Sequence, residues 1–199
     1  SGNNITLDHT SNNFQAAVIT TSGNNVTLVD AGAIDLGAST VSGTYGITAG
    51  GAVTDSGTQE ITGVTTIAAG SGNDITLNTS TNNFAATVVI TSGKDVTLID
   101  EDAIDLGAST VSGTYAVTAG GEVTDSGTQE IAGITTISAS GQNVTINTAT
   151  NNFSDEVRIT GAAVTVTDED AIDLGASTVS GAYTITAGGN VTDSGTVTV

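Results

Sequence analysis

Two short acidic segments are the residues of this chain whose types and spacing could do chemistry. Asp100-Glu101-Asp102 is followed by Asp105, and Asp168-Glu169-Asp170 is followed by Asp173. Carboxylate oxygens at alternate positions are hard ligands that could hold calcium. The alternative is a solvated acidic turn, because the first copy of this motif reads Asp30-Ala31-Gly32 and lacks the cluster. The weak calcium candidates are Asp100, Glu101, Asp102, Asp105, Asp168, Glu169, Asp170 and Asp173.

Catalysis would need carboxylates beside a base or a cation that one part of the chain supplies alone. Most acids instead recur at equivalent positions, in two sets: Asp35, Asp105 and Asp173, and Asp55, Asp125 and Asp193. The single histidine, His9, has Thr79 and Thr148 at its equivalent positions, which indicates an ordinary surface residue. Residues present in every copy are expected to serve turns and solvation. We therefore predict no catalytic residues, no enzyme and no cofactor other than calcium.

The composition excludes several classes of partner. Twenty-one acids against Lys94 and Arg158 give a formal net charge of −19. Two cations cannot build a phosphate-binding surface, so we expect no nucleic acid partner. No apolar run of about 20 residues occurs, so we expect no insertion into a membrane. The chain has no Cys, which rules out disulfides and thiolate metal sites.

The positions of the candidate residues are set by an internal repeat. Residues 33–45 return unchanged at 103–115, and they return at 171–183 with one change, Thr44 to Ala182. We divide the chain into repeat 1 (1–70), repeat 2 (71–140) and an incomplete repeat 3 (141–199). Such self-similarity is typical of repeat architectures, in which each unit packs on its neighbours. We expect the chain to be a segment of a longer array.

A shorter rhythm inside each repeat predicts strands. Apolar residues alternate with Thr in Ile5-Thr6-Leu7, Val26-Thr27-Leu28 and Ile47-Thr48-Ala49, and Gly- and Asn-rich corners separate these runs. Alternation with period two indicates half-buried strands. We predict an all-β fold without helix, in which residues 1–199 form one β-solenoid (a parallel β-helix). We expect about nine coils, three per repeat of about 70 residues.

These motifs resemble a known group of repeats. Asp-Ile-Thr-Leu at 74–77, Thr-Asn-Asn-Phe at 81–84, Val-Thr-Leu-Ile-Asp at 96–100 and Val-Thr-Asp-Ser-Gly at 123–127 are similar to β-strand repeats of giant bacterial surface exoproteins, the filamentous-haemagglutinin-like adhesins. The resemblance implies a right-handed helix, export to the bacterial surface or the medium, and a role in a long fibre. It implies no catalytic residues.

Three functions remain open from the sequence. The first is a structural shaft of a long extracellular adhesin or fibre, with neighbouring repeats and head-to-tail or lateral filament contacts as its partners. The second is an adhesive module that binds a glycan or a partner protein through the side of the rod, at the variable residues 154–158. The third is a carbohydrate-active enzyme, which would need a cleft of unique residues that the sequence does not show. Rows of Thr also suggest ice binding, for which Thr165–Thr167 and Thr196–Thr198 have the required spacing, but the middle coils do not repeat it.

Overall fold

The computed structural model describes residues 2–199, and all of its regular elements are β-strands. The first nine are β1 (Ile5–Leu7), β2 (Val18–Gly23), β3 (Val26–Asp30), β4 (Ile34–Val41), β5 (Tyr45–Ala49), β6 (Val53–Asp55), β7 (Gln59–Ile61), β8 (Thr65–Ala68) and β9 (Ile75–Leu77). The next nine are β10 (Asn83–Phe84), β11 (Val88–Gly93), β12 (Val96–Asp100), β13 (Ile104–Val111), β14 (Tyr115–Ala119), β15 (Val123–Asp125), β16 (Gln129–Ile131), β17 (Thr135–Ser138) and β18 (Val144–Ile146). The last eight are β19 (Asn152–Phe153), β20 (Val157–Gly161), β21 (Val164–Asp168), β22 (Ile172–Leu174), β23 (Ser177–Val179), β24 (Tyr183–Ala187), β25 (Val191–Asp193) and β26 (Val197–Thr198).

The strands build two sheets, and the chain passes through each sheet once per turn. Sheet one has 12 strands and contains β1, β3, β5, β8 and β11 in that order. Sheet two has 14 strands and contains β4, β6, β9, β12 and β14 in that order. The strand pairs are parallel, as in β3 beside β5. The β-solenoid prediction is therefore confirmed, with about 10 turns where the sequence suggested nine. At about 4.8 Å per layer the stack is roughly 45 Å long.

The number of turns in each repeat differs from the predicted three. Ile5–Leu7 lies in sheet one, whereas its sequence equivalent Ile75–Leu77 lies in sheet two, three and a half turns later. The reason is the short strand Thr65–Ala68, which begins a new turn inside a stretch that the sequence pattern assigned to one long coil. Successive copies of each motif therefore occupy opposite sheets of the solenoid.

Equivalent positions of successive turns stack in register and form one core. Val26 pairs with Tyr45, and Leu28 pairs with Ile47, and each of these four side chains is 1% exposed. Thr27, between Val26 and Leu28, points outward, because successive side chains of a strand point to opposite faces. Burial also raises the pKa of Tyr45 to about 12, and its hydroxyl lies 3.3 Å from Ser39 Oγ.

The predicted core is confirmed in the middle of the stack and is wrong at its first and last turns. At the last turn Val191, expected inside as the counterpart of Val53, is 51% exposed. Phe84 and Phe153 are 1% and 3% exposed, as expected for residues that close a corner of the core. Leu7 was expected inside, but it is 42% exposed, whereas its equivalent Leu77 is 1% exposed. Leu7 has a strand layer on one side only, since β1 pairs with β3 and with no other strand of residues 2–199.

Glycines serve two separate purposes at the corners. Gly70 and Gly141 adopt φ +78°, a left-handed conformation that side chains with a Cβ disfavour. Gly120 has an ordinary backbone, but a Cβ there would collide with the backbone oxygen of Glu101 in the preceding turn. The corner of one turn therefore lies directly against the corner of the next.

Candidate functional site

The first residue of each acidic segment is a buried corner carboxylate. Asp100 is 2% exposed; its Oδ2 accepts a hydrogen bond from the backbone N–H of Phe84 at 2.8 Å, and its Oδ1 accepts one from Asp102 at 2.8 Å. Asp168 makes the same two bonds, to Phe153 at 3.0 Å and to Asp170 at 2.8 Å. Each carboxylate therefore ties its own turn to the Phe corner of the preceding turn.

The first copy of the motif has the same corner although it lacks the acidic cluster. Asp30 is 2% exposed and accepts hydrogen bonds from the backbone N–H groups of Phe14 at 2.6 Å and Gly32 at 2.7 Å. The sequence comparison missed this role because it weighed the variable neighbours of Asp30 rather than the invariant Asp. The corner carboxylate is thus part of the repeat itself.

The pKa values of the two corner acids, Asp100 and Asp168, are raised because both carboxylates are buried. Desolvation raises the pKa of Asp100, and the hydrogen bonds from Phe84 and Asp102 oppose that rise. Desolvation likewise raises the pKa of Asp168. Because a buried carboxylate favours the protonated form, these two groups couple the stability of the solenoid to pH.

The surroundings of the remaining calcium candidates differ from those of the two corner acids. The side chains of Glu101, Asp102, Glu169 and Asp170 are exposed. Asp105 lies on β13, where its Oδ2 accepts hydrogen bonds from the hydroxyls of Thr87 at 2.7 Å and Ser126 at 2.6 Å; Asp173 accepts one from Thr192 at 3.2 Å. Within residues 2–199, no group of three or more His, Asp or Glu side chains is arranged to hold a metal ion.

A buried polar network, which the sequence reading did not identify, joins two successive turns. The side chain of Asn82 is 0% exposed; its Nδ2 donates to Asp55 Oδ2 at 2.7 Å, and its Oδ1 accepts from the backbone N–H of Gln59 at 2.9 Å. Asp55 also accepts from the backbone N–H groups of Asn78 at 2.8 Å and Thr79 at 3.1 Å. The network fixes the register between the two turns.

The next repeat contains the same network on the opposite sheet. Asn151 is 0% exposed, donates to Asp125 at 2.7 Å and accepts from the backbone N–H of Gln129 at 2.8 Å. Gln129, which is 1% exposed, donates its amide to the carbonyls of Gly107 and Gly127, both at 2.8 Å. Recurrence of Asp, Gln and Asn at a spacing near 70 residues is the sequence signal that could have revealed the network.

The variable residues 154–158 wrap around one corner of the rod. Ser154 and Asp155 are exposed, whereas Val157 is a 0% exposed core residue and cannot contact a partner. Arg158 forms an ion pair with Glu156 at 2.5 Å, and this pair lowers the pKa of Glu156. Ser154 also lines a shallow hollow of about 250 Å³, whose walls combine Ser, Thr and Glu130 with the apolar residues Val111, Ile131 and Ala132.

Lys94, the second cation of the chain, lies at a corner whose equivalent in the first repeat is uncharged. In the first repeat, Asn4 Oδ1 accepts from the backbone N–H of Asn25 at 3.2 Å. In the second repeat the equivalent pair is Asp74 and Asp95, and Lys94 lies 3.7 Å and 2.8 Å from their carboxylates. The hydrogen bond from Lys94 lowers the pKa of Asp95 to about 2. Lys94 thus offsets the negative charge of Asp74 and Asp95, which stand where the first repeat has Asn4 and Asn25.

Other sequence candidates do not form a site. His9 is exposed, and its Nδ1 accepts from the backbone N–H of Ser11 at 3.2 Å. Thr165 and Thr167 stack on Thr184 and Thr186, which gives two rungs of paired threonines. The preceding strand, β18, contributes only Thr145 to this ladder. No helix capable of spanning a membrane occurs in the described part of the chain.

Comparison with known proteins identifies the repeat and little else. A family described as "Repeats of unknown function (DUF5649)" matches residues 23–91, 93–160 and 161–199, so the chain belongs to that family. Neither the curated proteins nor the solved structures contain a significant match to the chain. The family matches begin at a different point of the repeat from the division at residues 71 and 141, but their period is the same.

Proposed function

We propose that this member of the DUF5649 repeats is a shaft segment of a long extracellular fibre, exposed on a bacterial surface or secreted. One observation carries the proposal: two parallel sheets run through all 10 turns around a single continuous core. A rod of this kind holds distant parts of a fibre at a fixed separation, and the surface that it presents to partners is mainly repeated.

Stiffness follows from the way successive turns are joined. Backbone hydrogen bonds run along the axis in both sheets, as from Val26 to Thr44 and from Val53 to Asp74. The buried network of Asp55, Asn82 and Gln59 adds side-chain bonds between turns. Bending the rod would lengthen these bonds on one sheet while the close-packed core resists compression on the other. Stability in such arrays accumulates from one neighbour to the next.

The charge distribution suits a fibre that stands apart from its neighbours. A net charge of −19 over 199 residues makes lateral contact between two rods unfavourable at low salt. The exposed acids Glu101 and Asp102 lie at a corner, where they project from the rod. We accordingly propose that the main partners of the segment are neighbouring repeats of the same parent chain.

Immunogold electron microscopy tests the proposal directly. Antibodies against the folded fragment, applied to intact cells that produce the protein, should label extracellular filaments at many points along their length. Serum depleted on the same fragment is the control. Intact cells without label whose thin sections are labelled in the cytoplasm, or label only at the distal tip of a filament, would refute a shaft function.

A second candidate function is adhesion through the side of the rod, and the ion pair of Arg158 and Glu156 favours it because the other repeats lack it. The test is binding of the fragment to a panel of glycans and host cells. Arg158→Val restores the residue type of the equivalent Val89, and Lys94→Asn is a matched control that removes the other cation. Saturable binding that is lost only in Arg158→Val would support adhesion, whereas absence of binding would contradict it.

A further inference from the structure

A hollow of about 350 Å³ lies on the side of the first repeat. It crosses three successive layers of sheet two, from the segment before β2 to β4 and β6. The alanines Ala16, Ala17, Ala33 and Ala52 line it, and among its described lining residues Asp35 alone carries a charge. The hollow therefore combines apolar surface with a single carboxylate.

Two of these alanines replace larger residues of the other repeats. Ala17 stands where the second repeat has Thr87 and the third has Glu156. Ala52 stands where the second repeat has Glu122. Both changes shorten a side chain at the hollow to a methyl group, and they leave the hollow open.

The change at Ala17 also deprives Asp35 of a hydrogen-bond donor. The equivalent acid Asp105 accepts three hydrogen bonds, from the hydroxyl of Thr87 at 2.7 Å and from two further hydroxyls at 2.6 and 3.4 Å. Asp35 accepts one, at Oδ2 from Ser56 Oγ at 2.8 Å, and its enclosed Oδ1 has no donor among the described residues. A half-buried carboxylate with one hydrogen bond favours a further donor at the place of the missing hydroxyl.

The hollow does not depend on where the described turns begin. β11 and β13 are the equivalents of β2 and β4, and β8 pairs with β11 on the edge opposite to β13. A turn before β2 would take the place that β8 has beside β11, on the far side of β2 from Asp35. The segment that leads to β2 is held by a later turn, since the backbone N–H of Phe14 donates to Asp30 at 2.6 Å.

The charge and shape of this site favour the ammonium group of a lysine. The chain has a net charge of −19, and its two cations, Lys94 and Arg158, are paired with acids at other corners. A carboxylate without a counter-charge favours a cationic donor over a neutral hydroxyl.

A guanidinium fits the site less well than an ammonium. Its two parallel hydrogen bonds need both carboxylate oxygens, but Oδ1 of Asp35 is enclosed and Oδ2 is shared with Ser56. An ammonium is a compact charge at the end of an aliphatic stem. Such a stem can pack along the methyl groups of Ala17 and Ala52 while its charged end reaches the carboxylate.

We propose that this hollow binds a lysine side chain of a partner protein. The ammonium donates to Asp35 in the way that Thr87 donates to Asp105 in the second repeat. The site depends only on residues of the first repeat, so the proposal holds whether or not the segment is an extracellular shaft.

A titration followed by NMR at the methyl resonance of Ala52 tests the site. A blocked glycine–lysine–glycine peptide should give a saturable shift that weakens with added salt. The same peptide with norleucine in place of lysine keeps the stem, lacks the ammonium and should give no saturable shift. Ala17→Thr should weaken binding of the lysine peptide at least about tenfold, because it restores the donor that Asp105 has. Asp105→Asn is the matched control, which alters the equivalent acid and should leave binding unchanged.

The reverse exchange in the second repeat gives the sharpest result. Thr87→Ala combined with Glu122→Ala reproduces the arrangement of the first repeat and should create a second site, seen as a second set of saturable shifts. Circular dichroism checks that all variants remain folded. Equal shifts with the norleucine peptide, unchanged binding in Ala17→Thr, or no second site in the double variant would overturn the proposal. Butylamine that binds as tightly as the lysine peptide would also overturn it, because the hollow would then recognise a free amine.

Discussion

Removal of the Asn82 side chain should destabilise the solenoid far more than removal of the same side chain one repeat earlier. Asn82 is 0% exposed, and it both donates to Asp55 at 2.7 Å and accepts from the backbone N–H of Gln59 at 2.9 Å. Asn82→Ala leaves that buried N–H without a partner and removes one hydrogen bond from a carboxylate. Each loss is worth about 1–3 kcal/mol, so we expect a decrease of about 3 kcal/mol or more in the free energy of unfolding.

Asn12 is the matched control for this prediction. It occupies the equivalent position in the first turn, where its Nδ2 donates to the carbonyl of Leu7 at 3.0 Å. It is half-buried, and no Asp of an earlier turn lies beneath it among the described residues. Asn12→Ala removes one partly solvated hydrogen bond, which is worth about 0.5–1.5 kcal/mol.

Urea denaturation followed by circular dichroism measures the difference. Hydrogen exchange should additionally show that Asn82→Ala accelerates exchange at the backbone N–H of Gln59. Equal and small losses in the two variants would refute the conclusion that the network, rather than the apolar core alone, fixes the register between turns.

Two further predictions concern pH and glycine. Because burial raises the pKa of Asp100, the folded state binds this proton more tightly than the unfolded state, so the contribution of Asp100 to the free energy of unfolding should increase as the pH falls from about 7 to about 4. A urea midpoint with the same pH dependence in Asp100→Asn as in the parent chain would contradict the assignment. Gly120→Ala should lower the free energy of unfolding by about 2 kcal/mol or more, since its Cβ collides with a backbone oxygen, whereas Gly72→Ala, which has open space around it, should be within about 1 kcal/mol of the parent chain in the same urea titration.

The sequence predicted the fold well because the alternation of apolar residues and Thr is a direct consequence of a half-buried strand. Val26, Leu28 and Ile47 point inward as that alternation requires, and Phe84 closes a corner of the core. The phase of the repeat was not predictable in the same way. The strand Thr65–Ala68 has a pattern too short to distinguish from a loop, and that one strand changes three turns per repeat into three and a half.

The candidate site was harder to predict, because the residue types at a corner do not show which acidic side chain points inward and which points to solvent. Asp100 and Asp102 are two residues apart, yet the first is 2% exposed and the second is exposed to solvent. A cluster that suggested calcium ligands is therefore divided by the corner into a structural acid and a solvated one. Recurrence in every repeat was the better guide, since Asp30 performs the same task as Asp100.

The half-turn phase determines how any feature of the repeat is displayed. The corresponding strands β4 and β13 lie in opposite sheets, and β22 returns to the sheet of β4. A feature present in every repeat therefore faces opposite sides of the rod at successive copies, roughly 17 Å apart along the axis, and the same side only at every second copy. A feature present in one repeat only, such as the pair of Arg158 and Glu156, faces one side alone. Repeated features thus suit contacts on both sides of a rod, whereas a partner that binds one side alone would have to contact residues that depart from the repeat.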